Sequence, residues 1–134
     1  MLQYILASIL LLVLDIVWIM SFMGGQYNRM IPLIQKKPMK PRIGFAILAY
    51  ILMIVGLCLF VIPNIRKDYV LQDSLLYGFG FGLVLYGVYD FTAAAVISDW
   101  DLSLSVIDML WGGFVYFLSS FIAVLILSLY DSKS

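Results

Sequence analysis

Four long runs of apolar residues divide this 134-residue chain, at roughly residues 2–23, 43–62, 74–97 and 105–129. A helix that crosses the ~30 Å hydrocarbon core of a bilayer needs about 20 mostly apolar residues. Each run reaches that length, and none alternates between polar and apolar positions as a membrane strand would. The sequence therefore predicts an all-α integral membrane protein, a four-transmembrane-helix bundle that forms a single domain over residues 1–134.

The composition supports a lipid environment and excludes several classes of protein. Charged residues make up 12% of the chain, against about 25% in ordinary soluble domains. The net charge of zero gives no general attraction for nucleic acid. Histidine is absent and there is one cysteine, so we expect no metal site, no cofactor and no nucleic-acid partner. The expected partner is the lipid bilayer.

The positive charges indicate an orientation. Four spans place the connection 24–42 on one side of the membrane and both termini on the other. Five Lys and Arg residues lie on the first side and three on the second. The positive-inside rule therefore predicts that loop 24–42 is cytoplasmic and that both termini lie on the opposite side. The five basic residues could also contact lipid head groups; they are Arg29, Lys36, Lys37, Lys40 and Arg42.

Three aspartates lie within the predicted spans, where a central carboxylate costs about 2.5–3.5 kcal/mol to insert. Asp15 and Asp90 lie about 10–12 Å from the loop 24–42 side, and Asp108 about 5 Å, at 1.5 Å per residue. Asp15 is followed three residues later by Trp18, and Asp108 by Trp111. Because residues spaced by three share a helix face, the two Asp-x-x-Trp pairs suggest one common pocket between helices.

The spans carry no Lys or Arg that could neutralise these carboxylates. The aspartates must therefore be protonated, bonded to Trp, Tyr or Thr groups, or paired with an external cation, and we expect at least one of Asp15 and Asp90 to be protonated. Two interpretations remain open: the groups lock the helices together, or they form a site for a proton, a cation or a small amine. The hypothesised site contains Asp15, Trp18, Tyr50, Tyr89, Asp90, Thr92, Asp108 and Trp111.

Glycines inside the spans are typical of close helix packing. Gly78 and Gly82 form a small-xxx-small pair, and the surrounding Gly-Phe-Gly-Phe-Gly run follows no strand and has no lysine, so it does not predict a phosphate loop. The glycines predicted to serve helix packing are Gly56, Gly78, Gly82, Gly87 and Gly112.

Short motifs spread over nearly the whole chain resemble the domain-of-unknown-function family 2177, small polytopic membrane proteins found mainly in bacteria. The motifs are LDIVW at 14–18, QYNR at 26–29, AY at 49–50, GL at 56–57, LYGVYDFT at 85–92, Trp100, and VIDMLWG at 106–112. The resemblance implies a fold of four spans and no established activity. Ala93 stands where the family pattern has Asn, and Asp101 where it has Pro, so a polar site using that Asn would be altered here.

Three functions remain open from the sequence. The first is a small binding or transport module with the intramembrane Asp/Trp site, which would need a homo-oligomer for transport because four helices enclose a narrow lumen. The second is a structural subunit of a larger membrane assembly, cellular or viral. The third is an enzyme acting on lipid, which is disfavoured because no nucleophile with a base and no metal ligands are present; no catalytic residue is predicted.

Overall fold

The computed structural model describes residues 1–38, 40 and 42–133. Within them the chain forms four helices long and apolar enough to cross a membrane and no strand, as predicted. The helices are α1 (Leu2–Gln35), α2 (Ile43–Asn64), α3 (Val70–Val96) and α4 (Leu102–Lys133).

The first three helices are not regular along their length. Each contains a stretch of π-helix, at Ile19–Met23 in α1, Leu57–Val61 in α2 and Ser74–Phe79 in α3. A π-helical turn accommodates an extra residue, which changes the direction of the side chains that follow it, and such turns are frequent at functional sites. By contrast, α4 is an uninterrupted α-helix.

The prediction of a long loop from Gly24 was wrong. Residues Gly24–Gln35 are helical and continue the first span, so the connection to α2 begins at Lys36, which adopts a left-handed conformation with φ 57°. Gly24, Gly25 and Pro32 have poor helix propensity, but helix formation here buries Met30 against the α3–α4 connection. Met30 Sδ accepts a hydrogen bond from the Asp101 backbone N–H at 3.3 Å. This packing offsets the poor helix propensity.

The buried apolar core lies in the half of the bundle near the termini. Leu11 of α1, Leu57 and Val61 of α2, and Val115 and Tyr116 of α4 are fully enclosed there. Tyr116 Oη donates a 2.9 Å hydrogen bond to the Met53 carbonyl, which fixes α2 to α4 near the middle of the membrane.

Beyond that point α2 separates from the other helices. All residues from Ile43 to Leu52 are exposed except the partly buried Tyr50. The bundle is therefore tightly packed towards the termini and opens between α2 and its neighbours on the side of the α1–α2 connection.

Glycines allow α3 and α4 to approach closely. A Cβ at Gly82 would collide with the backbone of Gly112, and one at Gly78 would lie 2.7 Å from Ser120 Oγ. Gly56 faces the ring of Phe81 on α3. These positions permit the close packing that small residues provide in membrane helices. The predicted packing glycines all have such neighbours: Gly56, Gly78, Gly82, Gly87 and Gly112.

The α2–α3 connection is fixed by an ion pair. Arg66 contributes its backbone N–H, Nε and a terminal guanidinium nitrogen to the Asp73 carboxylate, at 2.9–3.0 Å. The carboxylate raises the pKa of the Arg66 guanidinium above its usual value, through these hydrogen bonds and charge attraction.

Candidate functional site

Asp15 accepts hydrogen bonds from all three other helices. Tyr50 Oη of α2 donates to Asp15 Oδ2 at 2.9 Å. Tyr86 Oη of α3 and Trp111 Nε1 of α4 donate to Asp15 Oδ1 at 2.7 and 3.1 Å. The aspartate is 5% exposed. Three donors can stabilise its negative charge without a cation, and they join the four helices at one point.

The Tyr86 bond depends on a glycine. A Cβ at Gly112 would collide with the Tyr86 ring, so the absent side chain leaves room for that ring against α4. From this position the Tyr86 hydroxyl reaches Asp15. The packing glycine thus also positions a site residue.

The two Asp-x-x-Trp pairs exchange partners across the interface of α1 and α4. Trp111, one turn from Asp108, bonds Asp15, while Trp18, one turn from Asp15, donates from Nε1 to Asp108 Oδ1 at 3.3 Å. The two indoles stack with their centroids 4.7 Å apart and their planes 9° from parallel. Each aspartate is therefore paired with the tryptophan of the opposite helix.

Asp90 and Asp108 bring their carboxyl groups together between α3 and α4. Asp90 is 1% exposed, and its Oδ2 has no hydrogen-bond partner among the described residues. Asp108 is 6% exposed, and Trp18 donates to it. The pair is thus less well supplied with donors than Asp15, although it is as deeply buried.

A cavity of about 440 Å³ lies where α2 separates from the bundle. Most of its wall is apolar or aromatic. Asp15 and Asp108 contribute to it, and no Lys or Arg of the described chain does. Its lining comprises Asp15, Trp18, Ile19, Met23, Tyr27, Ala46, Ala49, Tyr50, Leu52, Met53, Leu85, Tyr86, Tyr89 and Asp108.

The structure brings together most of the residues hypothesised from sequence. Around the cavity and its carboxylates it places Asp15, Trp18, Tyr50, Tyr89, Asp90, Asp108 and Trp111. Tyr89 lines the cavity although 54% of it is exposed. Thr92 is exposed and lies outside the group, because it is two residues beyond Asp90 and so points to a different side of α3.

Sequence reasoning missed two tyrosines. Tyr86 precedes Asp90 by four residues, so its position on the same helix face could have identified it. Tyr27 lies in the segment misread as a loop. Its hydroxyl adjoins that of Tyr89, and its ring lies 6.1 Å from that of Trp100. The rings of Tyr27 and Tyr89 thus lie with Trp100 and Met30 near the α3–α4 connection.

The basic residues proposed to contact head groups lie outside the cavity. All five are exposed, and the Arg42 guanidinium lies 5.5 Å from the centre of the Phe45 ring. Among the described residues no group of three or more His, Cys, Asp or Glu side chains could hold a metal ion. The site is therefore a cavity lined mainly by apolar and aromatic side chains, with the carboxyl groups of Asp15 and Asp108 in its lining and no basic residue of the described chain.

Comparison with known proteins identifies a family. The chain has no significant match among curated proteins or among solved structures. Residues 1–125 match a family described as predicted membrane protein (DUF2177). This match covers all four helices except the end of α4. The chain therefore belongs to the DUF2177 family of multi-pass membrane proteins.

Proposed function

We propose that this membrane protein binds a small amine-bearing molecule, which it holds as a cation in the cavity beside α2. The observation that carries the proposal is the cavity of about 440 Å³, in which Asp108 stands among aromatic side chains without a basic residue in the described lining. Binding pockets for small molecules commonly measure about 300–1,000 Å³ and are mostly apolar with a few polar groups.

Asp108 is the carboxylate best suited to the ligand's charge. Asp15 already accepts three hydrogen bonds, whereas Asp108 accepts one long bond from Trp18. A positive group in the cavity would add the partner that a buried carboxylate requires. The rings of Tyr50 and Tyr86 in the same wall would attract it through cation–π contacts.

The wall favours an organic cation over a bare metal ion. Calcium takes six to eight oxygen ligands and magnesium a complete octahedron, while this lining supplies two carboxylates and a few hydroxyls among apolar side chains. An amine with an apolar body matches both parts of the wall.

Binding of benzyltrimethylammonium to the purified protein tests the proposal. Trp18 lies in the wall, so quenching of tryptophan fluorescence is the readout. We expect saturable binding that is at least tenfold weaker in Asp108→Asn and unchanged in Asp99→Asn, a control carboxylate in the exposed α3–α4 connection. Neopentylbenzene, the uncharged molecule of the same shape, should compete poorly. Equal affinity of Asp108→Asn and the native protein would contradict the proposal.

We also propose that the cavity end of the bundle faces the cytoplasm and that both termini lie on the opposite side, in keeping with the excess of basic residues in the segment 24–42. Cysteine labelling tests this orientation in a Cys58→Ser background, since Cys58 is the one cysteine of the chain. A membrane-impermeant maleimide should label Asp68→Cys on intact cells and Lys37→Cys after lysis. The reverse pattern would invert the orientation.

A further inference from the structure

We propose that Asp90 and Asp108 share one proton while the cavity is empty and release it when a cation enters, so that the protein exchanges one proton for one positive charge. This inference rests on the proposed function and adds that binding of the cation is coupled to release of a proton. It gives Asp90, which does not line the cavity, a role in binding.

The first support is the unpartnered oxygen. Asp90 Oδ2 is enclosed by protein and no donor of the described residues reaches it. The neighbouring polar group is the carboxyl of Asp108, and two ionised carboxylates offer only acceptors. One shared proton would create the O–H···O bond that this geometry lacks.

The second support is the charge of the surroundings. Among the described residues, the titratable groups that face the pair are Asp15 and Tyr27 from α1 and Tyr86 and Tyr89 from α3, and none of them is basic. Trp18 of α1, which donates to Asp108, is always neutral. Adjacent like charges in a poorly solvated site disfavour double ionisation, as in carboxylate pairs that hold a single proton.

The third support is the position of Asp108, which belongs to both the pair and the cavity wall. A cation beside Asp108 repels the shared proton and can replace its charge. The O–H bond then breaks, the proton leaves through the cavity to water, and both carboxylates remain ionised beside the cation. The Asp90–Asp108 pair, counted with its proton or with the cation, carries one net negative charge before and after the exchange. The exchange therefore adds no charge to this low-dielectric part of the bundle.

Calorimetry with benzyltrimethylammonium tests the exchange, because this probe has no proton of its own to lose. Titrations at one pH in buffers of different ionisation enthalpy give the number of protons released. We expect about one proton per cation, and affinity that weakens about tenfold for each pH unit of acidification while the pair is protonated. Binding without proton release would overturn the exchange and leave the proposed function standing. Absence of binding would overturn both.

Asp90→Asn provides the matched variant. The amide that this substitution introduces can donate to Asp108 in place of the shared proton, so we expect the cation to bind without proton release and with little dependence on pH. Release of a full proton by this variant would contradict the assignment. Difference infrared spectra of the native protein need no variant: the cation should remove absorbance of a protonated carboxyl, and an unchanged carboxyl band would overturn the proposal.

Discussion

The indole of Trp111 and the carboxylate of Asp15 join the last helix of the bundle to the first, with 3.1 Å between Nε1 and Oδ1. In the reciprocal contact, Trp18 of the first helix donates a hydrogen bond to Asp108 of the last, and the two indoles stack on each other. This exchange separates two roles for the intramembrane carboxylates. Asp15 accepts three hydrogen bonds that join the helices, while Asp108 accepts one from Trp18 and, in the proposed function, pairs with the ligand.

Asp15 should therefore contribute to stability more than to binding. Asp15→Asn keeps an acceptor for part of the network, and we expect a loss of about 1–2 kcal/mol in the free energy of unfolding, given about 0.6 kcal/mol for an average interhelical bond and more for a charged one. Asp15→Leu leaves three donors unpaired and should cost about 3 kcal/mol. Unfolding by SDS in mixed micelles measures both.

Asp99→Asn serves as the control for these measurements, since Asp99 is exposed outside the bundle. A change below about 0.5 kcal/mol is expected for a surface position of this kind. If Asp15→Leu were as stable as this control, the helix-joining role of Asp15 would be refuted.

The indole stack predicts energetic coupling between α1 and α4. Aromatic pairs contribute about 0.5–1.5 kcal/mol beyond their buried area. A double-mutant cycle of Trp18→Leu and Trp111→Leu, followed by unfolding in mixed micelles, should give a coupling energy in this range. Trp100→Leu paired with Trp111→Leu is the control cycle and should be additive. Additivity in the first cycle would show that the stacked geometry does not persist in solution.

The sequence predicted the four spans and the side of the bundle on which the aspartates meet, because hydropathy and helix rise determine both. It left the roles of Asp15 and Asp108 undistinguished, since hydrogen-bond partners depend on helix rotation. π-Helical turns such as Ile19–Met23 change the helix rotation here. The periodicity of the sequence does not predict these turns. Thr92 lies at nearly the same depth as Asp90, but its side chain is exposed on another face of α3, so depth alone does not bring a side chain to the cavity.

The glycine contacts give a prediction with a control in the same helix. A Cβ at Gly82 would meet the backbone of Gly112, which cannot move aside as a flexible side chain could, whereas one at Gly80 would meet nothing within 4 Å. Gly82→Ala should lower the free energy of unfolding by about 1–3 kcal/mol through overpacking, and Gly80→Ala should not. Thermal unfolding in detergent distinguishes the two. Equal behaviour would refute close packing of α3 on α4.

The segment Gly24–Gln35 was misread because local sequence signals for a loop were outweighed by a tertiary contact. Met30 is 8% exposed and touches the α3–α4 connection, whereas Leu33 in the same segment is 78% exposed. Burial of a methionine stabilises by about 1.5–3 kcal/mol, so Met30→Ser should release the segment locally. We expect amide hydrogen exchange in 24–35 to become roughly 5–30-fold faster, as a change of about 1–2 kcal/mol implies.

Leu33→Ser is the matched control, since it removes a similar apolar side chain from the exposed face. It should leave exchange of the segment nearly unchanged, and both variants should leave exchange in α4 unchanged because the core there is formed by other residues. Faster exchange in Leu33→Ser than in Met30→Ser would mean that lipid or detergent contact, rather than docking on the α3–α4 connection, holds the segment helical. Because Tyr27 of this segment lines the cavity, Met30→Ser should also accelerate release of benzyltrimethylammonium.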